Sequence, residues 1–167
     1  MLKLNIGSGQ RKFKRPFLNI DCQEKWQPDM LADASSLPMF ENASADLVVL
    51  HHVLEHFGLG EADALLAECR RVLAPGGSLL IFLPDVAALA KRWLRREIDD
   101  YTFFVNLMGA YMGDEADRHK WHYTAESLGA ALRNVGSWSI LSFDWRRIEG
   151  ADIARDWWIM GVEAIRL

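Results

Sequence analysis

LNIGSGQ, residues Leu4–Gln10, decides the reading of this chain: a short apolar strand runs straight into Gly7-Ser8-Gly9. The two glycines remove the Cβ atoms that would hold the backbone away from a ligand, and they permit a tight turn off the strand. Any sharp strand exit can carry such a pair, so its meaning depends on the register of the strands and helices downstream.

Apolar, strand-length runs recur at Leu2–Ile6, Phe17–Ile20, Asp46–Leu50, Ser78–Leu83 and, as a late pair, Trp138–Phe143 and Trp158–Ile165. Between them the spacing predicts a helix over about 61–73, with Leu65, Leu66, Cys69, Val72 and Leu73 on one face. Acids stand in its first turn, Arg70 and Arg71 in its last, and Pro75-Gly76-Gly77 is placed to stop it. A second helix follows Thr124 as cap and ends near Gly136. SLLIFLP is apolar on both faces, as a central strand covered on both sides must be. The alternation implies an α/β fold with a doubly wound, mostly parallel, Rossmann-like sheet.

With 167 residues the chain fits a single domain, 1–167, that buries roughly two-thirds of its unfolded surface and needs no disulfide or metal to fold. Its 50% apolar and 25% charged content is that of a globular protein. A net charge of −4 gives no reason to expect nucleic acid. The basic cluster Lys91, Arg92, Arg95, Arg96 reads as the solvated face of a helix whose other face is Val86, Leu89, Ala90, Trp93 and Leu94. Two cysteines without paired spacing and no charged-then-apolar leader point to the cytoplasm, and no apolar run approaches the ~20 residues of a membrane span.

Taken in order, LNIGSGQ, FLNIDCQ, ADASSLPMF, ADLVVLHHVLEHF, ECRRVLAPGGSLLIFLPD and KWHYTAESLGAALRNVG resemble the successive motifs of the class I S-adenosylmethionine-dependent methyltransferases, in the small type 11-like form. The likeness spans residues 2–136. It implies a seven-stranded sheet with S-adenosylmethionine as cofactor across the carboxyl ends of the first strands. By position it implies that Gly7, Ser8 and Gly9 line the methionine moiety, that Asp21, with Cys22 beside it, receives the ribose hydroxyls, that Asp33 and Ala34 meet the adenine, and that His51 lines the cofactor. A carboxylate suits two ribose hydroxyls because it offers acceptor lone pairs and no donor. The plain alternatives are that Asp21 is a turn residue after a strand and Asp33 the cap of a turn before Ser35.

Two departures from the family pattern stand out. Only residues 7–16 separate the first two strands, too few for a normal parallel crossover with its helix, so an abbreviated link or a different pairing is expected. Asn5 also stands where the family often has an acid. Residues 86–123, rich in Trp93, Tyr101, Phe103, Phe104, Tyr111 and Trp121, read as a helical insertion after the fifth strand that serves as a lid or a homodimer contact.

His52-x-x-Glu55-His56 formally matches an inverted zinc-protease motif. Its histidines fall at a strand-to-helix exit, not together on one helix, so no metal is expected. Methyl transfer by in-line displacement needs alignment above all, and where the acceptor must lose a proton His52 and His122 are the candidate bases, each equally readable as a histidine that braces a loop. The expected function is methyl transfer to a small-molecule acceptor. The alternatives are a degenerate, non-catalytic module used for assembly, and a nicotinamide-binding oxidoreductase, which would need a third glycine at Lys12.

Overall fold

The computed structural model describes residues 1–110, 114–143 and 158–167. Its strands are β1 (Lys3–Ile6), β2 (Phe17–Asp21), β3 (Met30–Leu31), β4 (Ala45–His51), β5 (Leu73–Pro84), β6 (Trp138–Ser142) and β7 (Ile159–Arg166). They form one sheet in the order β3-β2-β1-β4-β5-β7-β6. The first five in that order are parallel, and β7 pairs antiparallel with both β5 and β6. Strand order reverses between β1 and β4, which opens a crevice at their carboxyl ends.

Helices α1 (Leu59–Val72) and α4 (Ala125–Asn134) cover one face of the sheet. Leu65, Leu66 and Cys69 of α1 and Leu128 and Leu132 of α4 share a buried cluster with Leu4, Ile6, Val48, Leu50, Leu79, Ile81 and Val162. Thr124 caps α4 as expected, its hydroxyl accepting the Ser127 amide at 3.2 Å. The opposite face carries a smaller cluster of Phe13, Val49, Leu80 and Phe82, none of them in a helix. Helices α2 (Val86–Leu94) and α3 (Asp100–Met108) occupy the insertion and pack on each other, with the Trp93 and Phe103 rings stacked at 4.5 Å. Tyr101, Phe104 and Trp121 remain exposed, and Tyr111 lies outside the described residues.

The first long helix ends at Val72, before Pro75: Leu73 is already extended and pairs with Ala45, and Pro75-Gly76-Gly77 forms an irregular start to β5 where the register shifts. The residue before a proline is pushed out of the helical region, so the chain leaves the helix early. Strand β3 has only two residues, too few for a hydrophobic pattern to reveal. Of the two options for residues 7–16, the abbreviated link holds: they form turns and no helix, yet β1 and β2 still pair in parallel.

Side-chain amides take over the work of the missing crossover helix. Asn5 and Asn19 are register partners, almost fully buried, and the Asn5 amide donates to Asn19 Oδ1 at 2.9 Å. Asn5 also donates to the Arg11 carbonyl at 3.2 Å, and Asn19 exchanges bonds with Phe13, accepting from its amide at 2.8 Å and donating to its carbonyl at 3.0 Å. Asp29 receives both the backbone and side-chain nitrogens of Asn19, at 2.9 and 2.8 Å. The loop is therefore sewn onto the sheet, with the Phe13 ring filling the space beneath it.

Buried polar partners left unmatched cost about 1–3 kcal/mol each, so Asn19→Ala is expected to lower stability by roughly 2–4 kcal/mol. Urea unfolding checks this, and an unchanged midpoint would show that the loop does not depend on the pair.

Candidate active site

A cavity of about 540 Å³ opens at the carboxyl edge of β1, β2 and β4, on the crevice where the strand order reverses. Gly7, Gly9, Asp21, Cys22, Asp33, Ala34 and His52 all border it. Its size falls within the ordinary range for small-molecule sites.

The glycine bend is shaped by two constraints. Gly7 (φ +65°) and Gly9 (φ +48°) both adopt left-handed backbone, and a Cβ on Gly7 would lie 2.5 Å from Val53 Cγ2. The space beside Gly9 is open. Ser8 sends its amide to the Ile20 carbonyl at 3.0 Å, which ties the bend to β2, while its buried hydroxyl has no partner among the described residues.

Asp21, at the end of β2, accepts the Gly9 amide at 2.8 Å on one oxygen and the Gln23 amide at 2.8 Å on the other. It is thus partly a brace for the loop. An ionised carboxylate has about four acceptor positions, so two remain for hydroxyl donors in the cavity.

Asp33 and Ala34 are delivered from below. The Ala32 amide bonds the Asp21 carbonyl at 3.0 Å, and buried Leu37 anchors the next turn. From α1, Glu68 accepts the Leu37 amide at 2.7 Å, and Arg71 donates to the Leu37 and Phe40 carbonyls, each at 2.9 Å. Asp33 uses Oδ1 to bind Ser35, through its amide at 2.8 Å and its hydroxyl at 2.7 Å. Its expected turn-capping role and its position on the cavity therefore coexist.

The histidines separate. His52 borders the cavity in a left-handed conformation (φ +55°), with Nδ1 2.9 Å from Glu55 Oε1. A non-glycine residue held in that region carries strain of the kind found at functional sites. His51 lies outside the cavity lining, buried against Phe82 and edge-on to His52, and burial above all drives its pKa down to about 3. His122 is also outside the lining, 6.1 Å ring to ring from His119, its pKa lowered by burial.

Glu55 is buried, yet its carboxyl sits below the usual range. Burial opposes its ionisation, and the His52 hydrogen bond with the charges of His52, His56 and His119 outweighs it. Burial likewise brings His119 down to about 4.

The sequence reading missed Gln23, Trp26, Val53, Phe57, Glu61, Asp117 and Lys120 as lining residues. Asp117 and Lys120 come from the insertion, which reaches the cavity through its segment 114–120. That segment is tied down on two sides: Lys25 pairs with Asp114, and Lys120 with Glu61 at 3.3 Å. No local pattern signals such contacts between residues 59 and 89 positions apart.

Residues 7–81 match the family described as the methyltransferase domain. Over that stretch the chain is similar to the methyltransferase domains of S-adenosylmethionine-dependent enzymes. A ubiquinone/menaquinone biosynthesis C-methyltransferase of Burkholderia vietnamiensis is 34% identical over 105 residues, 60% of this chain and 39% of that protein. The chain thus matches about two-fifths of the length of that relative. A methyltransferase from Archaeoglobus fulgidus superposes with a TM-score of 0.64 at 16% identity, covering 99% of this chain and 86% of the other. One from Methanosarcina mazei gives 0.61 at 19%, covering 99% and 92%. These likenesses establish the fold, and S-adenosylmethionine is the cofactor that the family implies.

The residues present fit that cofactor: glycines clear the backbone, Asp21 retains acceptor capacity beside the open space at Gly9, and Asp33 keeps Oδ2 for a further donor. Cys22 borders the same cavity and is exposed, whereas Cys69 is fully buried and burial pushes its thiol up to about 12. A thiol-alkylating reagent is expected to label Cys22 alone in the native protein, slowly because burial and Asp21 raise its pKa, and S-adenosylhomocysteine should slow it further. Mass spectrometry of the labelled peptides checks this; labelling indifferent to the ligand would place the ligand elsewhere.

Proposed function

We propose that this chain transfers a methyl group, by in-line displacement, from S-adenosylmethionine to a small-molecule acceptor that enters beside His52 under the cover of residues 86–123. The observation that carries the reading is the Asp21 carboxylate, fixed by the Gly9 and Gln23 amides and bordering the same cavity as Asp33. In this reading Asp21 holds the ribose, Asp33 and Ala34 the adenine, and Gly7 to Gly9 the methionine portion.

S-Adenosylmethionine, when bound, supplies an activated methyl on a sulfonium that leaves as a neutral thioether. The protein's part is then to align and to exclude water, and orientation of this kind is worth roughly 7–11 kcal/mol of barrier in well-aligned systems. His52 is the group to accept a proton from an acceptor that must lose one. With Glu55 receiving the Nδ1 proton, Nε2 of His52 is left as an acceptor, and its left-handed backbone sets the ring at the cavity wall. The similarity to a quinone-pathway C-methyltransferase makes an electron-rich ring carbon the first acceptor class to assay. The degenerate-module alternative draws on the absent crossover helix, but the amide network that replaces the helix leaves the cavity open.

Thermal shift tests the reading. A ligand at a hundred times its dissociation constant stabilises by ~2.7 kcal/mol, which for a chain of this size is a rise of roughly 5–10 °C. S-Adenosylmethionine and S-adenosylhomocysteine are expected to give it and NAD to give none. Asp21→Asn should weaken binding roughly 10- to 150-fold, the worth of a charge-assisted hydrogen bond. A shift with NAD alone would support an oxidoreductase, and no shift with any of the three the non-catalytic module.

A further inference from the structure

Behind His52 lies a second group of polar side chains that cofactor binding does not use. Glu55 and His56 stand in the single helical turn Leu54–His56 that follows β4, and His119 comes from the insertion. Backbone bonds bring the two segments together, the Lys120 and Trp121 amides both donating to the Glu55 carbonyl, at 2.8 and 3.2 Å, while within the insertion the His119 amide donates to the Met108 carbonyl at 3.0 Å. One carboxylate oxygen of Glu55 and one ring nitrogen from each histidine lie within 4.8 Å of one another.

Two of these residues hold polar atoms that are left unmatched among the described residues. Glu55 is 1% exposed, and although Oε1 is engaged by His52, Oε2 has no hydrogen-bond partner among the described residues. The Nδ1 of His119 is likewise buried without one. Each such atom costs about 1–3 kcal/mol unless something completes it, and a carboxylate more. His56 presents its Nδ1 to the Arg118 carbonyl at 3.2 Å, so in the neutral ring Nδ1 donates and Nε2 keeps its lone pair. Metal-bound histidines are oriented in just this manner, and the His52 contact on Glu55 Oε1 is the equivalent support for the carboxylate.

We propose that Glu55, His56 and His119 form a binding site for a divalent first-row transition-metal ion. Two imidazoles and a carboxylate suit Zn²⁺, Fe²⁺ or Co²⁺ over Mg²⁺ or Ca²⁺, which take oxygen ligands. Donors about a tetrahedral Zn²⁺ at 2.0–2.1 Å lie roughly 3.4 Å apart, so the three, within 4.8 Å of one another, draw together by at most about 1.4 Å on binding. His52 supports the site without ligating, which sets the arrangement apart from the protease motif that the sequence superficially matches. Three protein donors leave a coordination position open, and His56 also borders the cofactor cavity. The ion joins the exit of β4 to the insertion, and so holds the acceptor side of the cavity in place.

Cobalt titration of the untagged, chelator-stripped 167-residue chain tests the site. The expected result is a visible d–d absorption that saturates as a 1:1 complex and is displaced by Zn²⁺, together with a Zn²⁺-dependent rise in melting temperature. His119→Ala and His56→Ala should each weaken cobalt binding at least tenfold, while His51→Ala should leave it unchanged. Circular dichroism of the metal-free variants separates lost ligation from lost folding, and Glu55→Gln, which keeps the shape of the side chain, gives the same reading at the third ligand. No cobalt band in the wild-type protein, or a band undiminished in folded His119→Ala, would overturn the proposal and leave a proton shared between Glu55 and His119 as the way those atoms are satisfied. The readout is independent of methyl transfer, so its failure would leave the cofactor reading intact.

Discussion

The amide of Gly9 donates to Asp21, and the amides of Asn5 and Asn19 hold the rest of the same loop to the sheet. These few bonds carry the constraint on which the cavity depends. A parallel crossover ordinarily returns through a helix that both covers the sheet and stiffens the glycine bend at its start. Here residues 7–16 make the return without one. Covering falls to Phe13, which packs with Val49, Leu80 and Phe82, and stiffening to side-chain amides that satisfy backbone groups a helix would have satisfied internally. The arrangement accounts for Asn5: an acid there would present no donor to Asn19 Oδ1 or to the Arg11 carbonyl.

What the sequence disclosed depended on how local each signal was. Strands β1, β2, β4 and β5 announce themselves as apolar runs beside glycines or acids, and Thr124 with Gly136 brackets α4 to within two residues. The ordered motifs then brought Gly7, Gly9, Asp21, Cys22, Asp33, Ala34 and His52 to one cavity. Strand β3 escaped because two residues carry no periodicity, and the end of α1 because Leu73, helical by its spacing, is claimed by pairing with Ala45. His51 shows the limit of positional analogy. Strand alternation turns neighbours to opposite sides, and His51 follows Val49 onto the face that carries Phe82.

The least legible part of the site comes from the insertion. Asp117, Lys120 and His119 are brought to the cavity wall and the Glu55 cluster by backbone bonds from Lys120 and Trp121 to Glu55 and by the ion pairs Lys25–Asp114 and Lys120–Glu61. Exposed pairs of that kind contribute little energy individually, so the buried groups do more to fix the segment. Glu55 joins both halves of the chemistry: Oε1 orients His52 at the cavity, and a carboxylate oxygen lies within 4.8 Å of a ring nitrogen of His56 and of His119.

The proposed function requires the braced carboxylate of Asp21 and the glycine bend beside it to enclose an adenosyl group. A crystal structure of the protein with S-adenosylhomocysteine tests it most directly. Both ribose hydroxyls are expected on the Asp21 oxygens and the adenine against Asp33 and Ala34, with the Gly9–Asp21 bond preserved. A nucleoside bound elsewhere, or the loop 7–16 folded into the cavity in its place, would contradict it.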